Sequence, residues 1–302
     1  MLDSRFRGNE QELSVGTDMT AVHRAACVIG WPIGHSRSPL IHNYWLKRYG
    51  IAGEYRREAV PPAEFEGFVR SLAARGYAGA NVTVPHKEAA LAASQPDDRA
   101  RAVGAANTLW LDGTLRSTNT DVEGFLDNLD ACAPGWDRGL HHAVVLGAGG
   151  AARAVVYGLI ERGLDRVVVA NRTPSRAEAL RERFGAHIAP VRWDERDAAL
   201  ACAGLLVNTT TLGMHGQPAL GIELRRLPRH ALVADLVYVP LVTPLIAAAK
   251  AKGLRVADGL GMLMHQAVGG FALWFGKKPE VTPELRALLE ADLSLPPARG
   301  TE

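Results

Sequence analysis

The chain has 302 residues, 47% of them hydrophobic and 22% charged, which excludes a disordered or fibrous protein and suits two domains or one large α/β domain. Its 34 Lys and Arg against 32 Asp and Glu leave a formal charge of +2, too even to suggest a nucleic-acid or membrane surface. Cys27, Cys132 and Cys202 lie far apart without C-x-x-C spacing, so no disulfide framework or metal site is expected and a reducing, cytoplasmic setting is.

Residues 1–21 are polar and charged, show no periodicity and lack the apolar stretch of a signal peptide. They are expected to form a flexible tail, with Met19 as an alternative start. A short apolar run, 26–30, then reads as a strand ending in the turn-rich GWPIGHSRSP. Helical spacing follows over 40–49, a strand over 54–60, and a helix over 63–74 opened by Pro61 and Pro62. A strand over 79–84 stops at Pro85, and a helix over 87–93 follows. Strands at 108–111 and 115–118 lead into a helix over 122–132. The Pro/Gly-rich stretch 133–139 (APGWDRG) marks a break. Beyond it the runs AVVL, RVVVA, GLLVN and ALVADL lack alternation, as strands buried on both faces of a parallel sheet do. The alternation of apolar runs and helical segments points to parallel α/β architecture.

Gly147, Ala148, Gly149, Gly150, Ala151 and Ala152 fit G-x-G-x-x-A between a strand and a helix. Gly147 permits the tight turn, Gly149 admits a pyrophosphate against the backbone, and the helix start offers free N–H groups. The alternative is a glycine turn that serves packing alone. At the end of the next strand an NAD site would carry Asp or Glu. Here the chain reads Asn171, Arg172, Thr173, Pro174, Ser175, Arg176, and two guanidinium groups suit a 2′-phosphate. NADP is therefore the expected cofactor, unless both arginines are only solvated surface charges.

Polar residues gather in the first half. Ser36 and Ser38 precede a helix and could cap it or hold a carboxylate ligand, and the residues alone leave both open. Asn81, Thr83, His86 and Lys87 surround the strand stop NVTVPHK, Asn107 opens a later strand, and Asp121 stands at a helix start. Taken singly, Asp121 is most often a helix cap and Lys87 a surface lysine.

The stretches WPIGHSRSPLIHN, GANVTVPHK, GAANTL, NTDVEGF, LGAGGAARA, ANRTPSRA, VNTTTLGM, DLVYVPLVTPL and DGLGMLMHQAVGGFALW run in order over residues 28–276. In them the chain resembles the shikimate/quinate dehydrogenase family. The resemblance implies an N-terminal α/β substrate-binding domain (22–124 with 259–295) and a Rossmann-type, doubly wound NADP-binding domain (125–258). The C-terminal helices would return to the first domain. It implies that Ser36 and Ser38 hold the substrate carboxylate, and that Asn81, Thr83, Asn107, Asp121 and Gln266 surround its hydroxyls. Tyr238 would lie near the substrate, with Lys87 as general acid/base and Asp121 as its partner. On the cofactor side it implies Gly147–Ala151, Asn171–Arg176, Leu236, Gly259 and Asp98. Residues 1–21 have no counterpart in it. His265, a fraction of a turn from Gln266, is expected to face elsewhere.

The implied reaction is reversible NADPH-dependent reduction of 3-dehydroshikimate to shikimate, a step toward aromatic amino acids. Partners reduce to this small molecule, with no nucleic acid or membrane and with a homodimer admitted. Two alternatives stay open: a quinate/shikimate or related cyclic hydroxy-acid dehydrogenase, and an inactive NADP-binding module. The presence of both Lys87 and Asp121 speaks against the second.

Overall fold

The computed structural model describes residues 24–295, so the expected tail over 1–21 lies outside the described residues. The first half runs β1 (Arg24–Gly30), α1 (Ser38–Tyr49), β2 (Gly53–Ala59), α2 (Phe65–Arg70), β3 (Tyr77–Val82) and α3 (Lys87–Ala92). It continues with β4 (Gln95–Pro96), α4 (Asp98–Val103), β5 (Thr108–Asp112), β6 (Thr114–Thr118) and α5 (Asp121–Cys132). These strands form one sheet in the order β2-β1-β3-β5-β6-β4.

The expectation of parallel architecture needs correction here. β1 pairs parallel with β2 and β3, but β5 runs antiparallel to both β3 and β6. The reason is local: Gly113, at φ 67°, makes the tight turn between β5 and β6, whereas a parallel crossover needs about a dozen residues or more. The helix expected over 63–74 is also shorter. A 3₁₀ turn at Pro62–Glu64 leads into α2, which ends at Arg70, and turns carry the chain on to β3. Helix α4 went unpredicted although its signals are present. Asp97 caps it, accepting from the Ala100 N–H at 2.8 Å, and Gly104 closes it at φ 75°.

The second half runs β7 (His142–Leu146), α6 (Gly150–Glu161), β8 (Arg166–Asn171), α7 (Pro174–Phe184) and β9 (Ile188–Arg192). It then adds α8 (Arg196–Ala199), β10 (Leu205–Asn208), β11 (Leu232–Asp235), α9 (Pro244–Ala251) and β12 (Arg255–Ala257). Its sheet, ordered β12-β11-β10-β7-β8-β9, is parallel throughout. This is the doubly wound order, with its switch point between β7 and β10, where the strand order reverses. The strand interiors of β7, β8, β10 and β11 are buried without alternation, as helices on both faces require.

The last two helices, α10 (Gly259–Phe275) and α11 (Pro283–Leu293), return to the first sheet. Phe271 and Trp274 of α10 are buried with Trp45 of α1 and Val28 of β1, each such side chain contributing about 1.5–3 kcal/mol. The indole of Trp274 donates to the Leu109 carbonyl of β5 at 2.8 Å. Helices α5 and α10 approach closely because Gly124 has no side chain. A Cβ there would meet the Gln266 Cβ at 2.5 Å. Both helices therefore join the two halves, with the C-terminal strand ends around one cleft.

Candidate active site

A cavity of about 260 Å³ lies between the halves. From the first half it is lined by Ser36, Ser38, Asn81, Thr83, Lys87, Asn107 and Asp121, and from α10 by Gln266. Leu236, Tyr238, Gly259 and Ala151 close it on the other side. Residues spread over more than two hundred positions in sequence thus face one space.

At its centre Lys87 Nζ donates to Asp121 Oδ2 at 2.5 Å. Their side chains are 21% and 11% exposed, so the pair is sheltered yet reachable. Asp121 Oδ1 accepts from Asn107 Nδ2 at 2.8 Å. Asp121 is not a cap, since the cap position of α5 is Thr120 and no side chain caps there. Lys87 opens α3 directly after the turn Val84-Pro85-His86, which carries its side chain into the cleft. His86 goes the other way. It is buried, its Nε2 lies 2.8 Å from the Val60 carbonyl, and its ring stacks on Phe65 at 4.6 Å.

The capping alternative for Ser38 does not hold. Arg37 occupies the cap position of α1 without a side-chain bond, and Ser38 is the first helical residue. Ser36 Oγ accepts weakly from the Ser38 N–H at 3.3 Å, and Arg57 grips the Ser36 carbonyl through Nε and Nη2 at 2.9 and 2.7 Å. Among the described residues neither seryl hydroxyl donates to a protein acceptor, leaving both free for a ligand in the cavity. His35 lines the same corner and was missed in the sequence. Burial lowers its pKa, helped by Arg37 and Arg57. Thr83 presents its edge of the cavity beside Gly30, where a Cβ would strike its methyl group at 2.6 Å. Gln266 Nε2 donates to the Leu263 carbonyl at 3.0 Å. Burial pushes the Tyr238 phenol above its ordinary pKa of 10.0, so it stays protonated. His265 does not line the cavity.

A larger groove of about 830 Å³ adjoins α6 and is lined by Ala148, Gly149, Gly150, Arg153, Arg176 and Arg183, among others. Gly147 needs its glycine: φ is +103°, and a Cβ would lie 2.7 Å from Thr209 Oγ1. Gly149 and Gly150 are different, because a Cβ at either would meet nothing within 4 Å. Packing does not require those two glycines, which leaves open space beside the backbone there. No side chain caps α6, so its first N–H groups have no side-chain partner at the cap position, and the groove could hold a phosphate group there.

Asn171 Nδ2 donates to the Thr173 carbonyl at 2.8 Å, shaping the turn into α7, where Pro174 and Ser175 begin the helix. Arg176 lies in the groove wall, whereas Arg172 is exposed and outside it. Arg153, although inside LGAGGAARA, was given no role, and Arg183 had no local sequence signal. Arg153 pairs with Glu88 of α3 at 2.7 Å, and Arg183 donates to the Ala102 carbonyl of α4 at 3.1 Å. Asp98, implied as a cofactor-side residue, has an exposed carboxylate that pairs with Arg101 at 2.7 Å, next to Asp97, which caps α4. Among the described residues no cluster could hold a metal, and no helix is long and apolar enough to cross a membrane.

Ser36, Ser38, Asn81, Thr83, Lys87 and Asn107 fall in a match of residues 28–109 to a family described as "Shikimate dehydrogenase substrate binding domain". Residues 138–214 match "Shikimate / quinate 5-dehydrogenase" and 259–289 match "Shikimate 5'-dehydrogenase C-terminal domain". The chain is 66% identical over 277 residues to shikimate dehydrogenase (NADP(+)) of Rhodopseudomonas palustris strain TIE-1, covering 91% of this chain and 99% of that one. Its fold is similar to shikimate 5-dehydrogenase of Thermus thermophilus in complex with NADP(H) and shikimate. The TM-score is 0.77 at 38% identity, covering 89% of this chain and 98% of the other. It is also similar to quinate dehydrogenase of Corynebacterium glutamicum in complex with NAD, with TM-score 0.81, 31% identity and coverage of 90% and 99%.

Proposed function

The chain belongs to the shikimate dehydrogenase family, and from that premise we infer how its own residues carry the reaction. It is an NADP-dependent oxidoreductase that reversibly reduces 3-dehydroshikimate to shikimate. The observation that carries the residue-level reading is the Lys87–Asp121 pair, half-sheltered in the small cavity between glycine groove and seryl corner.

NADPH, when bound, supplies the hydride. Lys87 Nζ donates a proton to the carbonyl oxygen as the C=O π pair moves onto it, and its positive charge stabilises that oxygen meanwhile. Asp121 holds the ammonium through one oxygen and is itself held by Asn107 through the other. The partial exposure of Lys87 lets solvent restore the proton. Ser36 and Ser38 hold the carboxylate, while Asn81, Thr83, Asn107, Gln266 and Tyr238 orient the ring and its hydroxyls. The N-terminus of α6 and Arg176 would hold the phosphates, and Leu236, Gly259 and Ala151 the nicotinamide end. In this reading residues 22–124 and 259–295 form the substrate domain and 125–258 the cofactor domain, with α5 and α10 shared at the joint. Three unpaired cysteines support a cytoplasmic setting.

Following reduced-nicotinamide absorbance with 3-dehydroshikimate, shikimate and quinate, each with NADP and NAD, tests the reading. Fast turnover of the first two with NADP is expected. A preference for quinate would make the chain a quinate dehydrogenase instead, and a preference for NAD would overturn the 2′-phosphate reading.

A further inference from the structure

We propose that Tyr55 and Thr108 are positioning residues for the Lys87–Asp121 pair, acting through one directed chain of hydrogen bonds. The proposal rests on the reading that this pair moves the proton. Tyr55, enclosed in β2, donates its hydroxyl to Asn81 Oδ1 at 2.6 Å. Asn81 Nδ2 donates to Thr108 Oγ1 at 3.1 Å and to the Asn107 carbonyl at 3.3 Å. Thr108 Oγ1 donates to Asn107 Oδ1 at 3.2 Å and lies 3.0 Å from Thr120 Oγ1. Asn107 Nδ2 then reaches Asp121, whose other oxygen takes Lys87.

The direction of this chain follows from the backbone groups along it. The Thr120 N–H, 2.7 Å from Asn107 Oδ1, can only donate, so it fixes the oxygen end of that amide. The Asn107 carbonyl can only accept, so it fixes the nitrogen end of Asn81. Flipping either amide would set donor against donor or acceptor against acceptor. Tyr55 must therefore donate. Its burial raises the phenol pKa well above 10.0, which keeps the proton in place.

Geometry holds the far end equally firmly. His42 is fully buried and stacks on the Tyr55 ring at 4.0 Å and 8°, with Trp274 tilted against the same ring at 5.8 Å. Asn81 and Thr108 sit opposite each other in the β3–β5 register. Without the Tyr55 hydroxyl, Asn81 Oδ1 loses its donor, the side chain is held at its nitrogen end alone, and its bond to Thr108 slackens. Asn107 keeps its orientation through the N–H and hydroxyl of Thr120 but loses the firm Thr108 hydroxyl on the same oxygen, so its hold on Asp121 loosens, which is a loss of turnover more than of binding.

The test uses the full-length chain with Tyr55→Phe, Thr108→Val and Thr108→Ser, each alone and combined with Asp121→Asn. For each, kcat, the KM for 3-dehydroshikimate and the Kd for NADPH are measured. Tyr55→Phe and Thr108→Val are expected to lower kcat about tenfold and raise KM by less, leaving the NADPH Kd unchanged. Thr108→Ser, which keeps the hydroxyl, should stay within about twofold of the parent. In the Asp121→Asn background either loss should shrink to about twofold, because both routes end at the same carboxylate. Full multiplicative losses in that background, an unchanged kcat, or Thr108→Ser failing as badly as Thr108→Val would overturn the proposal. Should Tyr55→Phe not fold, the Thr108 pair decides alone. Lys87→Met in the same series separates the two ideas. A near-normal kcat there removes the underlying reading, whereas a large loss beside a neutral Tyr55→Phe removes only the relay.

Discussion

Around Lys87 and Asp121 the polar side chains are held by one another: Asn107 bonds Asp121, Asn81 bonds Thr108, and Tyr55 bonds Asn81. The groove beside α6 is built the other way, with open space at Gly149 and Gly150 and a helix start that no side chain caps. The first region is organised before any ligand arrives, as proton transfer within hydrogen-bond reach demands. The second leaves the first helix N–H groups without a side-chain cap, as a phosphate site would. Mutations in the Lys87–Asp121 network should therefore fail by turnover, and those in the groove by affinity for the cofactor.

The largest expected effect is on the organised side. Lys87→Met keeps bulk and loses both proton and charge, so kcat should fall by about 10² to 10⁴ while NADPH binding holds. A pure KM effect in steady-state kinetics would make Lys87 a binding residue. Next, Ser36→Ala with Ser38→Ala removes two bonds to a charged carboxylate, together about 3 kcal/mol or roughly a hundredfold in KM. If thermal melting dropped instead with KM unchanged, the pair would be structural after all.

On the open side, Arg176→Ala should weaken NADPH by about 1.5–3 kcal/mol and NADH hardly at all, since only NADPH carries the 2′-phosphate. Arg172→Ala, outside the groove wall, should do less. Equal losses for both cofactors, measured by fluorescence titration, would move the 2′-phosphate site elsewhere.

A further effect concerns stability rather than ligands. Among the described residues the two buried histidines, His42 and His86, both lie in the substrate half. Burial pulls the His42 pKa from 6.5 down to about 3, and Asn81 opposes this without closing a bond to either ring nitrogen. The unfolded chain therefore binds a proton that the folded one refuses between those values. Stability from this residue is complete above pH 6.5 and is lost as pH falls toward 3, at about 1.4 kcal/mol per pH unit. Denaturant melts of wild type and His42→Phe across that window should differ by this slope. Parallel curves would show that His42 does not govern acid unfolding.

Much of this was legible in one dimension. The glycine turn, the Asn171–Arg176 loop and the unbroken apolar runs of the second half are local patterns, set by φ preferences, helix starts and burial on two faces. Lys87, Asp121, Asn107 and the seryl pair stood out as polar groups at strand and helix ends, and the family resemblance supplied their roles. What only the tertiary structure decided is which polar groups meet. Ser38 could be read as a cap until Arg37 was seen to hold that position. Tyr55 and Arg183 lie in no motif and Thr108 was given no role within GAANTL, because their contacts arise from strand register and from helices brought together across the chain. The antiparallel β5–β6 hairpin was hidden for a related reason: a parallel and an antiparallel strand present the same residues, and the one-glycine turn at Gly113 settles which neighbour is reached. Local preference sets what each segment becomes, whereas hydrogen-bond partners far apart in sequence exist only once the chain has folded.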